Sequence, residues 1–421
     1  MDRRHFLTAA ALSAGALPLS ARAQNYSDYS KDPRPDVSEG TLTAGSSDGE
    51  MFTGSPVVAG PAADALTILQ PLQRFATGHL EYKLGGDTWT RVDGGHAGQL
   101  PRSEHVLKFR MPPLPAGAEV TYRFVGHTIG WVKQKQFYHG VLTPGKQQTS
   151  AEYSFKTLDP GAESTTFAVW NDTHENEVTL KSLHKLTESL KPDFMLWNGD
   201  QSNDIHFEKD MPGQFLNPAG LAVADHRPLA YVRGNHELRG PATMSLPDFT
   251  GSPGDRYYYG FRSGPLAALV MDTGDADRDD SEFYCGLAAY EPMQEEQGRW
   301  LKSVVQEPWF KDAPHKVLFC HFPLWFEHPK LPNNRFKGHA FCRQHWAPTL
   351  IEAGVRVVIS GHTHDYVYMP AKEGQPIAQL VGGAPNPKYA TFIQGSATKQ
   401  ALTLKMTKLD GTVICDVSFP A

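Results

Sequence analysis

Histidine, aspartate and asparagine residues recur at five places in the chain, each at or just after a short apolar run. The five places are Asp172-Thr173-His174, Gly199-Asp200, Gly234-Asn235-His236-Glu237, His321 and Gly361-His362-Thr363-His364. Mixed imidazole, carboxylate and amide ligands suit Zn, Fe or Mn better than Ca or Mg. About seven such ligands are too many for one tetrahedral ion. Two ions about 3.5–4 Å apart that share one carboxylate would use them all.

The apolar runs that precede these residues are predicted to be buried strands. They cover residues 167–170, 194–197, 231–232, 317–320 and 355–359. Runs this short, rich in β-branched or aromatic residues and bounded by turn residues, are typical of buried strands. Ligands of open α/β sheets bind beyond the carboxyl ends of the strands. The pattern therefore predicts that five strands deliver the polar residues to one edge of one sheet.

Helical spacing appears between and after these strands. Leucines recur near helical spacing over residues 177–190, with Asn176 as the N-cap and Lys191-Pro192 as the stop. Residues 295–306 predict a second, amphipathic helix. The strand–helix–strand order predicts a layered α/β domain. Residues 326–346, which are polar, aromatic and proline-containing, predict a loop over the site.

The chain before residue 159 has a different pattern. Short alternating strands separated by glycine turns predict a β-sandwich of immunoglobulin or fibronectin type III kind over residues 37–158. Asp159-Pro160-Gly161 marks the boundary to a catalytic domain over residues 162–421. Residues 24–36 are predicted to be a linker.

The first 23 residues predict an export signal. Arg3-Arg4 is followed closely by Phe6-Leu7, then by a small and apolar stretch and by Ala21-Arg22-Ala23. This order resembles a bacterial twin-arginine signal, and an ordinary secretory signal with an incidental arginine pair is the alternative. Either signal predicts a periplasmic or secreted protein.

Net charge, the length of apolar runs and cysteine spacing bear on which partners the protein can have. The 421 residues carry a formal net charge of only -6, which does not favour duplex nucleic acid or an anionic membrane as the partner. No apolar run after residue 20 reaches the ~20 residues that a membrane span needs. The four cysteines lack zinc-finger spacing, and whether Cys285 and Cys342 form a disulfide is open. A homodimer is compatible with the sequence.

The order Asp-x-His, Gly-Asp, Gly-Asn-His-Glu, His, Gly-His-x-His resembles the calcineurin-like metallophosphoesterase superfamily over about residues 165–395. The resemblance implies a four-layer α/β/β/α sandwich with a dinuclear metal centre. It assigns Asp172, His174 and His364 to one metal. It assigns Asn235, His321 and His362 to the other, with Asp200 as the bridge.

The resemblance also implies a role for His236, which would not be a ligand. Its ring would face the substrate, stabilise the phosphoryl oxygens and protonate the leaving group. A neighbouring carboxylate, Glu237 or an Asp that the sequence does not identify, would hold the ring. Asn203, His206 and Arg239 lie near the motifs and are candidates for substrate contacts.

An upstream sandwich followed by such a domain looks like the purple acid phosphatases. Residues 257–259, 297–301 and 361–366 support this similarity. That group carries a Tyr three residues after the bridging Asp, and this Tyr binds ferric iron. Asn203 stands there in this chain, and His174 stands where that group has a non-ligand residue. The resemblance therefore predicts a colourless centre with a His in the shell of the first metal.

The predicted function is hydrolysis of a small phosphate ester by attack of a metal-bridging hydroxide, with phosphomonoesters favoured. A phosphodiesterase or nucleotide hydrolase with the same centre is one alternative. A non-catalytic metal-binding protein, with a sandwich that binds a partner, is another. The cofactors would be two divalent or trivalent ions of Fe, Zn or Mn.

Overall fold

The computed structural model describes residues 47–62, 66–133, 140–282, 284–326 and 338–421. These residues belong to the unit Ala44–Ala421. The predicted signal and linker lie outside the described residues. Within the described ranges, no helix has the length and apolar character that crossing a bilayer requires.

A nine-stranded sheet contains the first three of the five predicted strands. In spatial order its strands are β21 (Val413–Pro420), β20 (Ala401–Lys408), β19 (Thr391–Thr398), β10 (Ser164–Trp170), β11 (Phe194–Asn198), β12 (Leu229–Val232), β1 (Val57–Ala59), β2 (Thr67–Pro71) and β6 (Val106–Arg110). β10, β11 and β12 are parallel neighbours. Their carboxyl ends lead to Asp172, Asp200 and Asn235.

A six-stranded sheet contains the last two predicted strands. In spatial order its strands are β13 (Tyr259–Ser263), β14 (Leu266–Met271), β15 (His315–Cys320), β16 (Val357–Ser360), β18 (Ala378–Val381) and β17 (Val367–Met369). β15 ends just before His321, and β16 ends just before Gly361. The expectation of one sheet is therefore wrong. Buried parallel strands are apolar throughout in either sheet, so the sequence pattern does not show to which sheet a strand belongs.

The two sheets pack face to face through a shared apolar core. Phe167 and Phe194 of the first sheet and Phe319 and Ile359 of the second lie in that core, all fully buried. The ring of Phe167 meets that of Phe319 edge-on at 5.8 Å between centroids. Burial on both faces explains why these strands are apolar throughout.

Helices cover the two outer faces. The helices are α1 (Glu177–Leu190), α2 (Pro247–Thr250), α3 (Tyr290–Val304), α4 (Pro308–Lys311) and α5 (Ala340–Glu352). α1 places Leu180 and Leu183 in the core on the outer face of the nine-stranded sheet. Leu301 of α3 and Trp346 of α5 lie in the core on the outer face of the six-stranded sheet. The layers are helix, sheet, sheet, helix, as the resemblance implies.

The helix predictions succeeded to different degrees. α1 spans the predicted residues, with Asn176 Oδ1 accepting from Thr179 N at 3.1 Å and with Lys191 left-handed at its end. α3 begins at Tyr290, earlier than predicted. The loop predicted over 326–346 is wrong from residue 340 onward, because α5 lies there. Its buried Cys342, Trp346 and Leu350 recur every four residues, a helical signal obscured by Pro348.

The remaining strands form a third sheet. They are β4 (Thr90–Val92), β3 (Ala76–Lys83), β7 (Glu119–Lys133) and β8 (Gly140–Thr149) in order, with β5 (Arg102–Ser103) beside β3 and β9 (Tyr153–Lys156) beside β7. Leu80 and Phe124 of this sheet share an apolar core with Ile68 of β2 and Phe109 of β6. The N-terminal strands thus pack as two layers.

One of those two layers belongs to the nine-stranded sheet. β1 pairs in parallel with β12, Ala59 opposite Leu229, and Gly60 N donates to Leu229 O at 3.0 Å. The predicted ranges 37–158 and 162–421 therefore share one sheet. The division into two domains at residues 159–161 stays a prediction.

The cysteines do not pair. All four are free in the structure, with Cys285 exposed and Cys342 buried in α5. The disulfide that the sequence left open between these two is therefore not formed.

Candidate metal centre

The loops of the centre leave their strands through an unusual backbone conformation. Five candidate ligands have left-handed φ values. They are Asp172 (50°), His174 (42°), Asp200 (50°), His362 (70°) and His364 (52°). Residues other than glycine seldom adopt this conformation, and such strain clusters at functional sites.

Two glycines allow the loops of the centre to approach one another closely. A Cβ atom at Gly199 would lie 2.4 Å from His321 Nδ1. A Cβ atom at Gly234 would lie 2.3 Å from Asp200 Oδ1. Only glycine avoids these clashes, so each Gly before a ligand serves close packing.

The first group of ligand atoms comes from Asp172, His174, Asp200 and His364, and they lie within 4.8 Å of one another. The Nε2 atoms of His174 and His364 are 3.0 Å apart. His174 Nε2 is 3.5 Å from Asp200 Oδ2, and His364 Nε2 is 3.7 Å from Asp172 Oδ1. These four side chains converge on one small volume.

The second group contains Asp200, His321 and His362, again within 4.8 Å. His321 Nε2 is 3.1 Å from Asp200 Oδ2. Asn235 Oδ1 lies 3.2 Å from His321 Nε2 and 3.2 Å from His362 Nδ1. Asp200 is shared by both groups. The grouping coincides with the division that the resemblance implies, and the role of each ligand stays a prediction.

The side chains present fit a pair of cations. Asp172 and Asp200 are buried, and buried carboxylates need a charge partner. Asp172 Oδ1 accepts from His362 N at 2.8 Å, whereas the buried Oδ2 has no hydrogen-bond partner among the described residues. Nitrogen and oxygen donors in this mixture suit Zn, Fe or Mn.

Burial and neighbouring charges shift the pKa values of the candidate ligands. Burial raises the pKa of Asp172 well above its usual range. Burial lowers the pKa of His174 to about 4, so its imidazole is neutral and able to act as a ligand. Burial would also raise the pKa of Asp200, but the charge and hydrogen bond of His321 outweigh it and lower that pKa.

His321 shows how strongly this pocket attracts positive charge. Burial would lower the pKa of His321, but the charge of Asp200 raises it to about 10. A proton on His321 thus balances Asp200, and a bound cation would take the place of that proton.

Asn198 contacts the candidate ligand His321 from the side away from the centre and was not among the residues predicted from the sequence. His321 Nδ1 lies 3.0 Å from Asn198 O, which leaves Nε2 to face the centre. Asn198 Nδ2 donates to Cys320 O at 3.3 Å and to Ile359 O at 3.2 Å. Asn198 therefore ties the end of β11 to two strands of the other sheet. A polar residue at the end of an apolar run is the signal that could have indicated it.

Glu237 does not hold His236, which corrects the prediction. Its buried carboxylate accepts four backbone N–H groups. The donors and distances are Asp200 N at 3.0 Å, Gln201 N at 2.7 Å, Ser202 N at 3.1 Å and Gly234 N at 2.7 Å. Residues 236–238 form a 3-10 turn, in which adjacent side chains point in different directions. Glu237 therefore faces the interior while His236 faces the centre.

The candidate substrate residues lie at different distances from this centre. His236 is 24% exposed, and its Nε2 is 4.0 Å from Asp200 Oδ2. Arg239 Nη1 lies 3.0 Å from His236 Nε2, and Asn203 O lies 2.7 Å from His236 Nδ1. His206 instead lies 3.9 Å from Asp204 with its side chain 61% exposed. The structure brings Asn203 and Arg239 to His236, and the part of His206 in substrate binding stays a prediction.

The fold and the site define the class of domain. Residues 165–366 match the family described as calcineurin-like phosphoesterase. The chain carries a calcineurin-like metallophosphoesterase domain over these residues, and the domain is that of metal-dependent phosphoesterases.

Particular relatives are phosphatases. The serine/threonine-protein phosphatase CPPED1 of Danio rerio is 29% identical over 183 residues, which cover 41% of this chain and 54% of that protein. The protein of the same name from Homo sapiens is 28% identical over 195 residues, which cover 45% and 58%. The chain spans about half the length of the curated relatives it matches.

Two solved structures share the fold. The purple acid phosphatase PPD1 from yellow lupin (Lupinus luteus) seeds has a TM-score of 0.61 at 14% identity, with 88% of this chain and 75% of that chain covered. PhoD has a TM-score of 0.57 at 12% identity, with 88% and 89% covered. At these identities the similarity concerns the fold alone.

Proposed function

We propose that the protein is an exported dinuclear-metal phosphoesterase and that phosphomonoesters are its favoured substrates. The observation that carries the proposal is the pair of ligand groups that share Asp200, with His236 beside them. The phosphatase names of the relatives support it. Export by the N-terminal arginine-pair signal and fibronectin type III kinship of the N-terminal strands are parts of the same proposal.

The proposed ligands divide as the two groups do. Asp172, His174 and His364 would hold one cation, and Asn235, His321 and His362 the other, with Asp200 between them. When bound, two such cations attract a phosphate ester and make a water nucleophilic near neutral pH. With Asn203 in place of the iron-binding Tyr, we expect Zn, Mn or Fe without a purple colour.

The chain itself supplies proton transfer and orientation. His236 Nε2 faces the centre beside Asp200 and can give a proton to the leaving oxygen. Arg239 presents guanidinium N–H groups next to that ring, where they can donate to phosphoryl oxygens. These two side chains favour a catalytic site over the non-catalytic metal-binding alternative.

The test is hydrolysis of 4-nitrophenyl phosphate and bis(4-nitrophenyl) phosphate by the full chain, with metal content determined on the same sample. We expect about two metal ions per chain and faster turnover of the monoester. On phenyl phosphate, a third substrate whose leaving group needs a proton, His236→Gln should lower kcat by about 100-fold or more while the metal content stays. His96→Gln, at an exposed position between β4 and β5, should match the wild type.

The outcomes separate the alternatives. Faster turnover of the diester would establish a phosphodiesterase with the same centre. Two bound metals without turnover of either ester would support the non-catalytic protein with a partner-binding sandwich. A chain that binds no metal would refute the centre itself.

A further inference from the structure

The ring of His236 is oriented by the main chain of a neighbouring loop. Its Nδ1 lies 2.7 Å from the carbonyl oxygen of Asn203, and a carbonyl oxygen only accepts hydrogen bonds. Nδ1 therefore carries the hydrogen. Nε2 is left facing Asp200 Oδ2 at 4.0 Å and Arg239 Nη1 at 3.0 Å. The proton that His236 can exchange with a substrate is thus the one at Nε2.

Asn203 is held in turn by Glu175, the residue after His174. Glu175 Oε2 accepts from Asn203 N at 3.3 Å and from Asn203 Nδ2 at 3.1 Å. Asn203 Nδ2 also donates to the carbonyl oxygen of His174 at 3.3 Å. Both Glu175 and Asn203 are exposed, so these bonds add nothing to a core. Their effect is to set where the Asn203 carbonyl lies.

The backbone at Glu175 is constrained for this contact. Glu175 has a φ of 60°, and its N donates to Gln201 O at 3.0 Å. A left-handed conformation at a residue other than glycine costs free energy. The conformation aligns the Glu175 segment with the loop that carries Asn203.

Nearby carboxylates are already engaged elsewhere. Glu237 accepts the backbone N–H groups of residues 200–202 and 234. Asp204 lies beside the exposed His206. Among the described residues, Glu175 supplies the carboxylate that is bonded to Asn203.

We propose that Glu175 is a positioning residue which, through Asn203, holds the His236 ring with its Nδ1–H on the Asn203 carbonyl and its Nε2 towards the leaving group. The protonated ring then gives its Nε2 proton to the leaving oxygen and is left as the neutral Nδ1–H tautomer. The kinetic consequence of this positioning rests on the proposed phosphoesterase function. General acid catalysis contributes about 10²–10⁴-fold and matters most for a poor leaving group. Loss of Glu175 should therefore slow phenyl phosphate more than 4-nitrophenyl phosphate, because nitrophenolate leaves readily without a proton.

The kinetic test compares Glu175→Ala, Glu175→Gln and Glu177→Ala in the full metal-loaded protein. For Glu175→Ala we expect kcat on phenyl phosphate to fall about tenfold or more, and on 4-nitrophenyl phosphate about twofold, with KM little changed. Glu175→Gln keeps an acceptor oxygen and should restore the rate. Glu177, exposed and paired with Lys181, is the control and should have no effect.

Two outcomes would overturn the proposal. Equal losses on both substrates would mean a general structural defect. Loss of metal in Glu175→Ala would mean that the residue acts on His174 instead.

A second readout does not depend on catalysis. Ring 15N shifts of His236, assigned by comparison with His236→Gln, report the tautomer in the metal-free protein at a pH above which those shifts no longer change. The wild type should show one Nδ1-protonated form, and Glu175→Ala a mixture. An inactive wild type whose tautomer responds to Glu175 would refute the function and keep the positioning role. An active wild type whose tautomer does not respond would refute the positioning role.

Discussion

At the scale of single residues, Glu237 shows how one buried side chain can shape a site through the backbone. Its Oε2 accepts from Asp200 N and Gly234 N, and its Oε1 accepts from Gln201 N and Ser202 N. A buried N–H group left without an acceptor costs about 1–3 kcal/mol. Glu237 therefore holds together the loops that follow β11 and β12.

Glu237→Gln tests this role. The substitution keeps the size of the side chain but replaces one acceptor oxygen with an NH2 group, so two of the four N–H groups lose their acceptor. We expect the free energy of unfolding of the metal-free protein to fall by about 2–4 kcal/mol in urea titrations. Glu177→Gln, on the exposed first turn of α1, is the matched control and should change it little. Similar effects of the two substitutions would contradict the role.

At the scale of elements, the site exists because the carboxyl ends of β11 in one sheet and of β15 and β16 in the other lie side by side. Asn198, at the end of β11, donates to the last residue of β15 and to Ile359 of β16. It is fully buried, so these bonds are made without competing water. The alignment of the strand ends, and with it the distance between Asp200 and His321, depends on this side chain.

Asn198→Asp should disturb that alignment. A carboxylate would face two carbonyl oxygens in place of an NH2 donor, so we expect a loss of about 2–4 kcal/mol in unfolding free energy. Metal content should fall below that of the wild type. Asn386→Asp is the control, because the exposed Asn386 accepts from Lys388 N through Oδ1, as a carboxylate also can. Full metal content in Asn198→Asp would show that the strand ends are aligned by other contacts.

At the scale of the whole molecule, the N-terminal strands are part of the structure that carries the site. β1, β2 and β6 extend the nine-stranded sheet, and their second face packs on the sheet of β3 and β7. Salt bridges add to the junction, with Lys108 Nζ 2.7 Å from Asp255 Oδ1. If the N-terminal strands separated from the rest of the nine-stranded sheet, the edges of β1 and β12 would lose their hydrogen-bond partners. The unfolding of the two segments is therefore coupled.

Calorimetry of the full chain should therefore show one unfolding transition over these strands and the domain. Phe124→Ala removes a fully buried ring of the N-terminal core and should cost about 3–5 kcal/mol. We expect the whole transition to move to lower temperature. Leu142→Ala, at a side chain 40% exposed, should leave it within about 0.5 kcal/mol. Two transitions, of which only one responds to Phe124→Ala, would mean independent domains.

The local parts of this architecture could be predicted from the sequence. A short apolar run followed by Gly and a polar residue indicates a buried strand and its turn, because both depend on neighbouring residues only. The five strands before the candidate ligands are present, and α1 begins and ends where its cap residues predict. The order of the motifs was sufficient to predict the family.

Tertiary structure decided what depends on residues far apart in the chain. The central strands of both sheets are apolar throughout and do not alternate with polar residues. Only packing therefore assigns β15 and β16 to the second sheet. The Glu237 side chain points to the interior because its carboxylate accepts N–H groups of a loop that is distant in the chain, such as Gln201 N. The junction of β1 with β12 joins residues 170 positions apart, Ala59 and Leu229, and strand pairing at such a separation leaves no pattern in either segment.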